Sequence, residues 1–429
     1  MKVACVGGGP AGLYVAILLK LRDPSHDITV YERNPAGSTY GWGVTYWGGL
    51  IEKLRAHDPE SARTIAENSV RWSDGTAHVG DLTTVHHGDE GFGIGRRELL
   101  GILAERATEL GVRIAYECDV SEPPDGADLV VACDGVRSGL RERYADHFGT
   151  EVRVGRNKYI WLGTTKVFDT FTFAFRETGH GWIWCYGYAF SERRSTCIVE
   201  CSEETWRGLG LHEAPEGEGL ALLEKIFAVP LDGHPLLART GAGASASDAG
   251  PGPASAPASA PRPAPEPASA SAPARWLNFR TLTHRTWSYG GRLVLAGDAA
   301  HTTHYSIGAG TTLALEDAIA LAAALGEHPG PDRLPAALAR YERERRRALL
   351  PVQSAARYSA HWYENLPRYL HLPPEQMFAL LGQRHSPLLP HLPPALYYRL
   401  DRAASRVAVV RGLKRRLGPR LARAFVRGQ

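Results

Sequence analysis

The sequence predicts an α/β protein. A parallel sheet covered by helices is interleaved with an antiparallel sheet and followed by a helical C-terminal region. Three observations predict it. A buried-strand pattern at residues 2–6 passes through a glycine-rich turn into the apolar stretch Leu13–Leu21 and a second strand at Asp27–Glu32, which opens a βαβ unit. Aromatic and β-branched runs follow one another at 159–165, 170–175, 181–188 and 196–201, as hairpin-linked strands do. From Pro335 to Tyr369 the pattern is helical, and the tail from Arg399 is helical and basic.

Composition bounds what the chain can be. Its 429 residues allow two or three domains, and 44% hydrophobic against 22% charged residues permits a sizeable core. A net charge of +3 argues against a dedicated nucleic-acid binder. No apolar run approaches the roughly 18 residues of a membrane span, Ala320–Leu325 being among the longest. The opening Lys2-Val3-Ala4-Cys5-Val6 lacks the pattern of a secretory leader. Cys5, Cys118, Cys133, Cys185, Cys197 and Cys201 form no Cys-x-x-Cys pair and complete no zinc spacing with histidine. Reduced thiols, no metal, no membrane and a cytoplasmic location are therefore expected.

The elements follow in order. Residues 1–150 are expected as the first part of the parallel-sheet unit, with an excursion into the second unit around 40–95. Within it, Gly7–Gly12 is expected as a tight loop, Arg97–Leu110 as a helix stopped by Gly111, and Asp128–Ala132 as a buried strand. Residues 151–285 are expected as a second, antiparallel-sheet domain, with a helix near Gly219–Phe227 and a strand near Trp276–Phe279. Residues 241–274 are almost entirely Ala, Pro, Ser and Gly and are expected as a disordered insert. Residues 286–330 return to the first unit through a strand at Arg292–Ala296 and a helix at Thr312–Leu325, and 331–429 are C-terminal helices.

Gly7-Gly8-Gly9-Pro10-Ala11-Gly12 is a G-x-G-x-x-G between strand and helix. Gly7 permits the turn, Gly9 lets the backbone approach a pyrophosphate, and Gly12 lets helix and strand pack closely. The phosphates would lie at the helix N-terminus, with Pro10 and Ala11 in its first turn. Glu32, 20 residues after Gly12, stands at the end of the second strand, where an acid bonds ribose hydroxyls. These features make the first unit Rossmann-like. Asp134-Gly135-Val136-Arg137-Ser138-Gly139-Leu140-Arg141 follows a buried strand, and alone reads as an ordinary turn. Gly297-Asp298-Ala299-Ala300-His301 follows another strand and runs through Gly308-Ala309-Gly310 into a helix. There the Asp can hold sugar hydroxyls or serve as a cap.

Together and in this order, the three motifs resemble the single-component FAD-dependent aromatic hydroxylases, the family that includes p-hydroxybenzoate hydroxylase. Arg96, in Ile94-Gly95-Arg96-Arg97-Glu98-Leu99, matches that family's arginine before a helix and is expected to contact the cofactor. A closer resemblance is to the salicylyl-CoA 5-hydroxylase group, with anthraniloyl-CoA monooxygenase and the tryptophan hydroxylase of violacein assembly. It rests on Gly41-Trp42-Gly43-Val44, Trp161–Lys166, Ile307–Thr311, Leu315-Glu316-Asp317-Ala318 and His361–Asn365. The chain departs from that group at Thr45-Tyr46-Trp47, in the low-complexity segment and after Ser386. The resemblance implies a GR2-type FAD-binding domain of the p-hydroxybenzoate hydroxylase fold, interleaved with the antiparallel substrate domain. Arg33, Gly43 and Val44 join the cofactor site. Some relatives carry a second reductase domain, for which this chain is too short.

The implied chemistry is sequential. NAD(P)H reduces FAD and leaves, O₂ adds at flavin C4a, and the hydroperoxide passes its distal oxygen to an electron-rich ring. The acceptor is expected as an aryl-CoA or carrier-bound acyl-thioester, or alternatively as free tryptophan, an indole or another free aromatic acid. The protein itself is expected as a monomer or homodimer. His301, His304 and Tyr305 are the catalytic candidates, since a histidine near its ordinary pKa suits proton transfer. Trp161, Phe173, Trp182, Trp184 and Tyr186 are the candidate substrate walls, the last three sharing a strand face, and Tyr46 and Trp47 are candidates at a mobile entrance with Trp42. Trp182-Ile183-Trp184 is also similar to the W-x-W of flavin-dependent halogenases, without their following Ile-Pro. The basic residues Arg411, Lys414, Arg415, Arg416, Arg420, Arg423 and Arg427 are expected as either a solvated helix face or a contact for CoA phosphates, a carrier protein or an acidic partner. In the latter reading the chain could also be a flavin-binding scaffold without turnover.

Overall fold

The structure, a computed structural model, describes residues 1–39, 41–238 and 274–406. Most of the Ala/Pro/Ser/Gly segment and the basic cluster from Arg411 lie outside the described residues.

Two sheets organise the chain. The first has six strands, in the order Ser288–Tyr289, Leu293–Leu295, Leu129–Ala132, Lys2–Val6, Asp27–Tyr31 and Arg113–Ala115. All its pairings are parallel except that of the edge strand Ser288–Tyr289. Its central strands are apolar on both faces because helices cover both, which is why they read as continuous hydrophobic runs. The glycine-rich segment is less of a loop than expected, because the helix begins at Pro10 and runs to Arg22. Proline has no N–H to lose in the first turn, and its fixed φ already suits a helix.

The second sheet has nine strands. Across it run Leu236–Leu237, Glu151–Thr164, Ser195–Cys201, Gly181–Ala189, Phe171–Thr178, Val70–Val79, Leu82–Gly95 and Gly43–Tyr46, with Leu277–Thr283 also paired to Glu151–Thr164. It is not purely antiparallel, as the sequence led us to expect. Val70–Val79 and Phe171–Thr178 pair in parallel, from Gly75 opposite Phe171 to Val79 opposite Phe175. The chain crosses from one sheet to the other between them, so no hairpin dictates their direction. One face of this sheet, carrying Phe173, Phe175, Trp184 and Tyr186, packs on Trp362, Tyr363 and Met377 of the C-terminal helices. The other face, with Cys185, Cys197 and Cys201, packs on the helix Glu216–Ile226. The six cysteines are free thiols.

The helix Gly310–Glu327 lies against Pro10–Arg22 and the long helix Leu334–Glu364. It is pinned by a charged network. Asp317, fully buried, accepts from the Gly297 N–H (2.8 Å) and from Arg345 Nε (2.7 Å), and its Oδ2 lies 2.8 Å from His301 Nε2. Burial alone would raise this carboxyl's pKa, but His301 and Arg345 hold it below the ordinary value.

Removing one partner from a buried ionic network leaves uncompensated charge, so Asp317→Ala is expected to lower the unfolding free energy by about 3–5 kcal/mol at neutral pH, read by urea denaturation. Because the folded carboxyl is held below its ordinary pKa, its contribution is complete above the unfolded value near pH ~3.9 and is lost as pH falls through the folded one. The gap between wild type and variant should therefore shrink only below about pH 4.

Candidate active site

One cavity of about 1620 Å³ is bounded by both sheets. That exceeds the roughly 300–1,000 Å³ of a pocket for one small ligand, leaving room for a cofactor and a second molecule. At one end it is lined where four parallel strands finish, at Val6-Gly7, Tyr31-Glu32, Cys133-Asp134 and Gly297-Asp298. Open α/β sheets bind ligands at this end because the helix N-termini point there. Two such termini, at Pro10 and Gly310, line the cavity.

Every residue assigned to the cofactor from sequence lines this cavity except Gly12. Gly12 is used for packing, since a methyl group there would run into the Gly7 carbonyl oxygen and Cys133 Sγ. Gly7 has a φ of +115° and would press any side chain onto the Cys133 backbone. Gly9 differs from both: a Cβ on it would meet nothing within 4 Å, so its bareness serves open space in the cavity. Glu32 accepts from the Gly8 N–H at 2.8 Å and, through its other oxygen, from the Asn34 N–H at 2.9 Å.

Arg96 donates to Thr39 Oγ1 at 3.1 Å. Burial lowers its pKa while Asp298 and Glu32 support its charge. Asp298 lines the cavity, and the protein around it raises its pKa, opposed by Arg96. Arg33 Nη2 donates to the Asp134 carbonyl at 3.3 Å. Arg141, buried, donates to the carbonyls of Val136 (2.7 Å) and Ala299 (3.4 Å), tying the second motif to the third.

These features fit FAD. Asp134 accepts from the Gly139 N–H through Oδ2 (2.8 Å), but its buried Oδ1 has no partner, and neither has the buried Thr303 hydroxyl, also on the cavity wall. A ligand in the cavity with hydroxyls of its own would supply those missing bonds. Sugar hydroxyls would meet Glu32 and Asp134, and phosphates would meet the helix N-terminus at Gly9–Ala11.

The other end of the cavity is aromatic. The entrance candidate Trp47, the wall candidates Trp161, Phe173 and Tyr186 and the catalytic candidate Tyr305 line it, joined by Trp72, Tyr159, Phe171 and Tyr188. Two predicted walls, Trp182 and Trp184, and the entrance candidate Tyr46 stand elsewhere. Tyr46 is buried, stacks on Phe92 at 5.3 Å and donates to Ser69 Oγ. Trp184 stacks on Tyr363 at 5.9 Å, and Trp182 sits in the same cluster under the C-terminal helices. The shared face predicted for Trp182, Trp184 and Tyr186 is present, but only its Tyr186 end reaches the cavity. Trp42 is packed over Gly163, so of the three entrance candidates only Trp47 stands half-exposed on the cavity.

The two catalytic histidines also require correction. His301 is 3% exposed, bound to Asp317 and set against Trp287, so it does not line the cavity. His304 likewise does not line it, and its Nδ1 lies 2.8 Å from Ser306 Oγ. Burial, with Arg384 nearby, pushes the His304 pKa down to about 3, leaving a neutral ring at pH 7. Sequence proximity placed both in the right loop without giving their direction.

Sequence reasoning missed Glu200. It is fully buried, and its Oε2 accepts from Tyr186 (2.6 Å) and Tyr305 (2.7 Å) while Oε1 accepts from Asn157 Nδ2 (2.7 Å). Burial raises its pKa, opposed by those hydrogen bonds. A charged residue inside the otherwise uncharged strand Ser195–Cys201 was the available signal, since carboxylates are seldom fully buried unless paired. Arg384, also on the wall, donates to the Ser306 carbonyl at 2.8 Å. Among the described residues, no cluster of His, Cys, Asp and Glu could hold a metal ion.

Comparison with known proteins agrees with this geometry. The family model described as FAD binding domain matches residues 264–354. The chain is 35% identical to a Streptomyces salicyloyl-CoA 5-hydroxylase over 86% of its own length and 66% of the relative's. It is 35% identical to the 3-hydroxy-4-methyl-anthranilyl-[aryl-carrier protein] 5-monooxygenase of Streptosporangium sibiricum (86% of this chain, 90% of that one). With the protodeoxyviolaceinate monooxygenase of Chromobacterium violaceum the identity is 31% (95% and 100%). The solved 2-methyl-3-hydroxypyridine-5-carboxylic acid oxygenase shares the fold, with a TM-score of 0.62 at 18% identity over 85% of this chain and 91% of that one. The chain belongs to the FAD-dependent aromatic monooxygenases. Its cofactor is FAD, with NAD(P)H and O₂ as cosubstrates.

Gly9→Ala separates cofactor approach from folding. The added methyl meets no protein atom, so apoprotein stability should be unchanged, while FAD affinity, titrated by flavin fluorescence, should fall by about tenfold or more. Gly12→Ala, which clashes within the protein, should lower apoprotein stability itself.

Proposed function

We propose that this enzyme hydroxylates an electron-rich aromatic ring carried as an acyl group on CoA or a carrier protein. The observation that carries the reading is the single cavity, with the nucleotide motifs at one end and an aromatic chamber at the other. Support for the acyl carrier comes from the two relatives at 35% identity, one acting on an acyl-CoA and one on a carrier-linked aryl group. FAD, reduced by NAD(P)H, supplies the chemistry that divides O₂ between the ring and water.

The chain's own residues do the rest. Glu32, Asp134 and the Gly7–Gly12 turn hold the nucleotide, and Arg96 and Asp298 sit further along the same wall. The helix N-terminus at Gly308–Gly310 faces the cavity, where its dipole favours negative charge. Trp161, Phe173, Tyr186 and Tyr305 flank the acceptor ring and exclude water. Trp47 stands at the opening. No helix among the described residues is long and apolar enough to cross a membrane; we place the enzyme in the cytoplasm with its cysteines reduced, as a monomer or homodimer.

A free aromatic substrate such as an indole or amino acid, without an acyl carrier, is the second reading; the relative at 31% identity, named for protodeoxyviolaceinate, carries no CoA or carrier protein in its name. FAD-reconstituted protein should consume NAD(P)H several-fold faster with salicylyl-CoA or anthraniloyl-CoA than without, and mass spectrometry should find one added oxygen. Stimulation by tryptophan or indole alone replaces the thioester with the second reading. Failure of every aromatic to stimulate, with flavin bound, contradicts the reaction.

A further inference from the structure

We infer that Glu200 turns the Tyr186–Tyr305 edge of the aromatic chamber into an acceptor-only surface, so that the ring substituent seated against Tyr305 must carry an O–H or N–H. The inference rests on the proposed reading of the chamber as the seat of an aromatic ring and adds to it which rings are admitted.

The direction of the network is fixed by a group that cannot reverse. An indole N–H only donates. Trp184 Nε1 donates to the Tyr186 hydroxyl oxygen at 3.1 Å, so that tyrosine's one hydrogen goes to Glu200 Oε2, 2.6 Å away. Tyr305 gives its hydrogen to the same oxygen at 2.7 Å, and Asn157 donates to Oε1 at 2.7 Å. Donors therefore meet both oxygens of one buried carboxylate. Each phenol has a single hydrogen, so neither tyrosine has one left for the cavity both of them line. The Tyr186 oxygen already accepts from Trp184. The Tyr305 oxygen keeps a free lone pair, and its ring is held from several sides, 4.6 Å from Tyr159 and 5.9 Å from Phe279.

A ring hydroxyl, amine or indole N–H can satisfy that lone pair. A methoxy or fluoro group cannot, and sets acceptor against acceptor at a partly buried hydroxyl. Glu200 thus acts through Tyr305 as a positioning residue for specificity.

The test is calorimetric binding to the FAD-loaded protein, which needs no turnover. Matched rings are compared: ortho-hydroxybenzoyl-CoA and ortho-aminobenzoyl-CoA against their methoxy and fluoro counterparts, and indole against N-methylindole. Wild type should favour the donor-bearing member by at least about tenfold. In Glu200→Gln the amide can donate to Tyr305 and free its hydrogen to turn inward, so the preference should fall to within about threefold. Tyr305→Phe should abolish it as well. A purely structural Glu200 would weaken both members of each pair alike and leave the ratio intact. An unchanged ratio in both variants, or no preference in wild type, overturns the inference while leaving the reaction standing. Absence of binding by every ring to flavin-loaded protein overturns the chamber reading and this inference with it.

Discussion

The carboxylate of Asp317, withdrawn from solvent in the helix Gly310–Glu327, faces the Gly297 N–H, His301 and Arg345 together. Those partners come from the loop after a sheet strand, from the same loop four residues on, and from the long C-terminal helix. A buried anion is tolerated only when its bonds are met, so the three segments are held to one geometry. The loop they hold carries Asp298, and it leads to the glycine-flanked helix start that opens onto the cavity. Arg141 ties the Asp134 loop to the same place through the Ala299 carbonyl. The cofactor end of the molecule thus rests on two buried side-chain clasps as well as on the strand ends.

The two ends of the cavity are built by different means. The end that carries the nucleotide motifs is walled by bare glycines, helix termini and strand-end acids, brought together by a parallel sheet that converges there by topology. The aromatic chamber is built from side chains spread over five strands and a helical turn, two of which, Tyr186 and Tyr305, share Glu200 as acceptor. The first arrangement suits a cofactor shared across a family. The second can be altered residue by residue, which is where substrate differences among relatives would be expected to arise.

That division also explains what was legible in the sequence. Gly7, Gly12 and Gly308 answer local backbone demands, a positive φ or a close approach, and such demands leave a fixed spacing behind. Glu32, Asp134 and Asp298 each stand directly after a recognisable strand, so their side of the fold could be read. Glu200 makes its contacts with Asn157, Tyr186 and Tyr305, partners 43, 14 and 105 positions away, and no local pattern announces them. His301 and His304 were placed in the right loop but turned the wrong way, because the partners that orient them, Asp317 and Ser306, act only in the folded chain. Trp182 and Trp184 shared their predicted face with Tyr186, yet the C-terminal helices cover most of that face. The parallel pairing of Val70–Val79 with Phe171–Thr178 was equally invisible, since it joins segments nearly a hundred residues apart.

The central claim is that the Asp317 clasp sets the loop that receives the flavin. Its most direct measure is the FAD dissociation constant of Asp317→Asn, taken by flavin fluorescence titration where circular dichroism shows the variant folded. With the charge removed and the shape kept, affinity should weaken by about tenfold or more, because Gly297 and His301 lose their shared anchor. An unchanged dissociation constant in a folded variant would contradict the account.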